Sequence, residues 1–111
     1  IRELIEFSYG SPGRYLMNLK HWLSISSPLR QKLEIRLNNQ LELLQLAKVI
    51  TDELNIEQQL WFIDFQQNRA WLKEKNSKMV IQLEELRKQL LKYVQPRLAW
   101  EVSLLEINLM N

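Results

Sequence analysis

The chain has 111 residues (13.4 kDa), 46% of them hydrophobic and 25% charged, with a formal net charge of +2. A chain of this length buries most of its unfolded surface without help from a metal or a cross-link. With no cysteine there is no disulfide scaffold, no thiol nucleophile and no cysteine-based zinc site, a composition that fits an intracellular protein. Two glycines and three prolines are too few for the regular turns of a β-sandwich or barrel. No apolar run approaches the ~18–20 residues that cross a bilayer, and no signal peptide is visible. Fifteen basic and thirteen acidic residues are interspersed, as on a mixed solvated surface. The expectation is a soluble, cytoplasmic, all-α protein.

Residues 1–8 carry Leu4, Ile5 and Phe7 and read as the last turns of a helix, so the chain is expected to be a piece of a longer one. Tyr9-Gly10-Ser11-Pro12-Gly13 is the sharpest break, with Ser11 placed to cap a helix and Pro12 to open it. That helix is predicted to reach about Leu23 and to bury Leu16, Leu19, Trp22 and Leu23. Ser27 and Pro28 repeat the same start signal. The helix they open, about 28–37, carries Leu29, Leu33 and Leu37 on one face. Asn38-Asn39 marks a pause. Residues 40–54 then space Leu41, Leu44, Ala47 (or Lys48), Ile50 (or Thr51) and Leu54 along one side.

Asn55 and Gln58 form a capping box for a bulky helix over about 56–75, holding Leu60, Trp61, Phe62, Ile63, Phe65, Trp71 and Leu72. Helical spacing assigns its aromatics to core packing rather than to a base-stacking platform. After the break at Asn76-Ser77, residues 78–94 make the cleanest amphipath. Met79, Leu83, Leu86 and Leu90 form its stripe, with Val80, Leu91 and Val94 beside it. Gln95-Pro96 opens a last helix to about residue 110. It carries two apolar stripes on different faces, Leu98, Val102, Leu105 and Leu109 on one and Trp100, Leu104, Ile107 and Met110 on the other, and so needs two partners, its own bundle and something else.

Catalytic chemistry is not suggested. His21 is the single histidine, and beside Lys20 and Trp22 it reads as a surface or interfacial residue. Asp52/Glu53 and Glu84/Glu85 are sequence neighbours, which diverge by about 100° on a helix and do not converge on one metal. Glu101 and Glu106 lack the spacing and the histidine of an inward-facing metal motif. Phosphate-loop, nucleophile-elbow and zinc-protease motifs are all missing. No enzyme activity and no cofactor is expected. The basic residues Arg87, Lys88, Lys92 and Arg97 are candidate phosphate contacts, although Glu84 and Glu85 lie where i,i+3 and i,i+4 pairs would engage Arg87 and Lys88.

Two stretches carry a family resemblance. Gly10-Ser11-Pro12-Gly13-Arg14-Tyr15-Leu16 resembles the GSPG-R-x-L start of a helix in the lid subdomain of bacterial clamp-loader subunits, most closely those of delta-prime type in DNA polymerase III. Residues 86–101 (LRKQLLKYVQPRLAWE) resemble that family's last helical pair, in which a Leu-rich basic helix runs into an (N/Q)-P-R-L-A-x-E segment. The two motifs occur in the family's order and at about its spacing. Residues 29–80 between them match only as generic amphipathic helix. The resemblance implies that residues 1–25 are the end of an AAA+ lid, with Ser11, Pro12, Gly13 and Arg14 as the lid-helix turn. Residues 28–111 are then a collar-type domain, and the fold is an all-α bundle of about five to six helices. ATP-hydrolysing relatives place a nucleotide-contacting arginine in that lid helix. The matching position here is Gly13, with Arg14 rotated about 100° away, which favours the delta-prime over the gamma/tau type.

The implied role is to scaffold a pentameric loader that places the sliding clamp on DNA during replication. Its partners are gamma/tau and delta subunits in a hetero-oligomer, with DNA reached only through the complex and no membrane involved. Expected subunit contacts are Arg97, Trp100, Leu104 and Ile107, with Arg87, Lys88 and Lys92 as rim or DNA contacts. Trp100→Ala is accordingly expected to weaken assembly more than folding. The alternative is a stand-alone helical adaptor or DNA-binding domain using the basic face of residues 87–97.

Overall fold

A computed structural model describes residues 2–34, 39–73, 75–92 and 95–109, with the backbone alone described over 31–34. Among these residues the chain forms α1 (Arg2–Phe7), α2 (Pro12–Ser24), α3 (Ser27–Glu34), α4 (Gln40–Glu53), α5 (Ile56–Leu72), α6 (Ser77–Leu91) and α7 (Pro96–Leu109). The all-α expectation holds. Among the described residues there are seven helices, and α1 and α2 share the core of the later ones.

The starts of α2 to α6 have local causes. Ser11 caps α2 by accepting from the Arg14 N–H, with Pro12 as first helical residue. In the capping box that opens α5, Asn55 Oδ1 accepts from Gln58 N (2.8 Å) while Gln58 Oε1 accepts from Asn55 N (2.9 Å). Asn39 and Asn76 cap α4 and α6 through their side-chain oxygens. Helix α3 starts one residue earlier than its proline suggested, with Ser26 Oγ accepting from the Leu29 N–H (3.4 Å). Helix α5 ends at Leu72 and α6 at Leu91, each three residues short of expectation.

Helix α7 lies between α4 and α6, and α6 lies between α7 and α5; α1 packs on α2 and α5, and α3 on α4. One core runs through all of them, from Leu4, Ile25 and Leu29 through Ile50, Ile63 and Leu86 to Trp100. A polar chain ties α1, α2 and α5 together. Ser8 Oγ donates to the Leu4 carbonyl (2.6 Å), Asn18 Nδ2 donates to Ser8 Oγ (3.0 Å) and Trp61 Nε1 donates to Asn18 Oδ1 (3.0 Å). Ser8 is buried, and every group in this chain is paired, so it orients the three helices without leaving an orphan.

Several faces differ from the sequence reading. On α2, Leu19 and Trp22 pack against the core, but Leu16 and Leu23 are exposed together with Met17. On α4 the buried side is Leu43, Leu46, Ala47 and Ile50, continued by Leu54, and Leu41 is exposed. The inward side of α2 lies about 100° from Leu16 and Leu23, while α4 keeps Ala47, Ile50 and Leu54 on the predicted side. Leu83, Leu86 and Leu90 are buried and Met79 is partly so, as expected, whereas Leu91 is exposed. Trp61, Phe62 and Phe65 are core residues, but Trp71 points outward. The expectations for Leu33, Leu37, Asn38, Val94 and Met110 fall outside the described side chains.

Candidate functional site

Helix α7 carries the candidate residues, and its orientation inverts the predicted faces. Trp100, expected on the outward stripe, is 1% exposed. Its ring lies 6.2 Å from that of Phe62, and its Nε1 donates to Gln59 Oε1 (2.9 Å), itself a buried side chain on α5. Ala99 and Ser103 are buried on the same side, small enough for the neighbouring helices to approach, and Gln82 Nε2 donates to Ser103 Oγ (3.4 Å). Leu104 and Ile107, also expected to meet a partner, are half-buried and pack against the core.

The other apolar stripe of α7 is the one left outside. Leu98 is 52% exposed, Val102 44% and Leu109 73%, with Leu105 half-buried among them. Periodicity reports that a helix has two apolar faces but not which of them the bundle takes. Here the choice follows from Trp100, the largest group, which finds both a cavity-filling position and an acceptor for its N–H. Arg97 and Glu106 are exposed and Glu101 is half-buried. At about 100° per residue they border the Leu98–Val102–Leu105–Leu109 stripe on both edges. The outward face of α7 is therefore an apolar strip with a charged rim, the layout of a protein–protein contact.

The basic group on α6 separates into two. Arg87, expected on a rim or against DNA, is instead engaged within the fold: it is paired with Asp64 and Gln67 of α5, and its Nε donates to Glu84 Oε2 (3.2 Å). The Glu84–Arg87 pair is the i,i+3 contact its spacing suggested. Gln67 Nε2 in turn donates to the Val80 carbonyl (3.1 Å), so this cluster holds α5 against α6. Asp64 and Glu84 remain partly solvated, which tempers the pairing. Arg87→Ala is expected to lower stability by about 1–2 kcal/mol. Urea denaturation reads this directly, and an unchanged midpoint would contradict it. Lys88, Lys92 and Arg97 remain exposed.

In the α1–α2 turn, Gly10 has φ +76° and Tyr9 φ +51°. Gly10 is the position that needs glycine; a Cβ on Gly13 would meet only Ser11 Oγ, at 3.9 Å. Arg14 is exposed. His21 is half-buried and stacks on Trp61 with ring centroids 5.4 Å apart, and Trp61 stacks on Phe65 at the same separation. Among the described residues, no group of three or more His, Asp or Glu side chains is placed to hold a metal ion. No described helix is long and apolar enough to cross a membrane.

A family model described as "Cyanobacterial DNA polymerase III delta prime, C-terminal domain" matches residues 1–107. No curated protein and no solved structure matches the chain.

Proposed function

The chain belongs to this family of DNA polymerase III delta prime C-terminal domains, and from that premise we propose that it is a non-catalytic assembly module of the clamp loader. Residues 28–111 act as a collar domain that joins gamma/tau and delta subunits in a fixed pentameric order. Residues 1–25 are the end of the AAA+ lid, whose outward residues Leu16, Met17 and Leu23 meet the rest of that lid. ATP-driven motions in the attached AAA+ domains open the sliding clamp, while the collar keeps the subunits in register. The setting is cytoplasmic DNA replication, and assembly itself does not require this chain to touch DNA.

The observation that carries the reading is the outward strip of α7, Leu98, Val102 and Leu109 bordered by Arg97, Glu101 and Glu106. Solvent-exposed apolar side chains aligned on one helix face and edged by charge are stabilised when a partner covers them. The contact set thus moves from Trp100, Leu104 and Ile107 to Leu98, Val102 and Leu109, with Arg97 kept on the rim. Native mass determination of the chain, alone and mixed with gamma/tau and delta subunits, tests the proposal. A complex of defined stoichiometry is expected, and a chain that stays monomeric in the mixture contradicts it.

A further inference from the structure

Cations are dense at one end of the bundle, around the end of α5 and the start of α6. Residues 69–78 (RAWLKEKNSK) hold Arg69, Lys73, Lys75 and Lys78 against a single acid in sequence. Helix α1 brings Arg2 and Glu3 to the same end, where Glu3 meets Arg69 Nε (3.5 Å) and Lys73 Nζ (3.1 Å). Of Arg2, Arg69, Lys73, Lys75 and Lys78, only Arg69 and Lys73 pair with Glu3. Arg69 and Lys73 also offset the negative pole at the C-terminus of α5. That role leaves out Arg2, Lys75 and Lys78, which are exposed and make no ion pair among the described residues.

A cavity of about 170 Å³ opens at this end. Trp22 and Phe65 form its aromatic wall, and Arg2, Glu3, Arg69 and Lys73 its polar lining. It is smaller than the ~300–1,000 Å³ of a site that encloses a whole small molecule, so it suits one group of a longer ligand. Trp71 is 55% exposed and stands two residues from both Arg69 and Lys73, hence on nearly the opposite side of α5. A ligand that reaches both the cavity and Trp71 must cross the end of α5, a span of about 10 Å, and Lys75 and Lys78 lie in the segment that follows that end.

We propose that this end of the bundle binds single-stranded DNA. Phosphates lie on Arg2, Lys75 and Lys78, one base enters the cavity beside Trp22, and another stacks on Trp71. Aromatic side chains interleaved with lysines are the arrangement by which unpaired bases and their backbone are held together. The Glu3 carboxylate, already paired with Arg69 and Lys73, has lone pairs left to accept from the exocyclic amine of a base. The inference is independent of the assembly reading, since none of these residues lies on α7.

The test is fluorescence anisotropy of a labelled single-stranded oligonucleotide titrated with the 111-residue chain at several salt concentrations, each variant's fold being checked by circular dichroism. Three phosphate contacts predict a slope of log K on log salt of about −2. Lys75→Glu with Lys78→Glu is expected to weaken binding at least about tenfold and to flatten that slope by about 1.4. Trp71→Ala is expected to cost about tenfold with the slope unchanged. Lys88→Glu with Lys92→Glu makes the same charge change elsewhere and is expected to leave binding as it was. The proposal is overturned if the wild-type chain does not bind, if the Lys88/Lys92 pair weakens binding as much as the Lys75/Lys78 pair, or if polyglutamate competes as well as unlabelled strand.

Discussion

Trp100→Ala is expected to cost about 3–5 kcal/mol of folding stability, the range for deleting a fully buried large aromatic. The indole occupies the space between α7 and α5, where it meets Phe62, and its removal also strips Gln59 Oε1 of its donor. A buried amide oxygen left without a partner adds about 1–3 kcal/mol to the cost of the void. Domains of this size have only about 5–15 kcal/mol in total. At about 4 °C or more per kcal/mol, the melting temperature should fall by roughly 12 °C or more. Trp100→Phe keeps much of the volume and loses the N–H, so the difference between the two variants separates packing from the hydrogen bond. A Trp100→Ala chain that melts like the wild type but no longer assembles would put the indole back on the outside and reverse the assignment of the two faces of α7.

Leu98→Asp combined with Val102→Asp should do the opposite. Both positions are exposed in the isolated chain, so the pair is expected to change folding stability by no more than about 1 kcal/mol. In the complex each carboxylate would be desolvated in an apolar contact with no cation opposite. At about 2 kcal/mol for each central contact residue, association weakens about a thousandfold. Thermal melting of the variant alone and native mass determination of its mixture with the other subunits read the two effects separately. Equal loss of folding and assembly would mean that Leu98 and Val102 are core residues. Full assembly would mean that another surface carries the contact.

The helices themselves were legible because their punctuation is local. Ser11-Pro12, Asn55 with Gln58, and Gln95-Pro96 each satisfy a helix start within three residues, and each start lies where the sequence put it. Which face turns inward was harder to read, because that depends on the neighbours. Helix α7 has apolar residues on two sides, and the size of Trp100 suggested an interface anchor as readily as a core residue. A usable signal was present in its charges: Arg97, Glu101 and Glu106 flank Leu98, Val102 and Leu105 and leave the arc of Ala99, Trp100, Ser103, Leu104 and Ile107 uncharged. A charge-free arc containing two small residues marks the side that neighbouring helices approach closely.

Arg87 shows the same limit in electrostatic form. Its pairing with Glu84 is a property of one helix and could be anticipated, but Asp64 and Gln67 lie on α5, and only the packing of α5 on α6 brings them to the guanidinium. The converse holds for Trp71. Its helical spacing from Trp61, Phe62 and Phe65 suggested core, yet it lies on an outer side of α5 near the helix end and is exposed.

Site-specific photocrosslinking from α7 locates the contact face, with a photoreactive phenylalanine replacing Leu98 in one chain and Ile81, an exposed residue of α6, in another. When each chain is assembled with the gamma/tau and delta subunits and irradiated, a covalent adduct to another subunit is expected from position 98 and little from position 81. Adducts from position 81 with none from position 98 would contradict it, because the outward face of α7 would then be free in the complex.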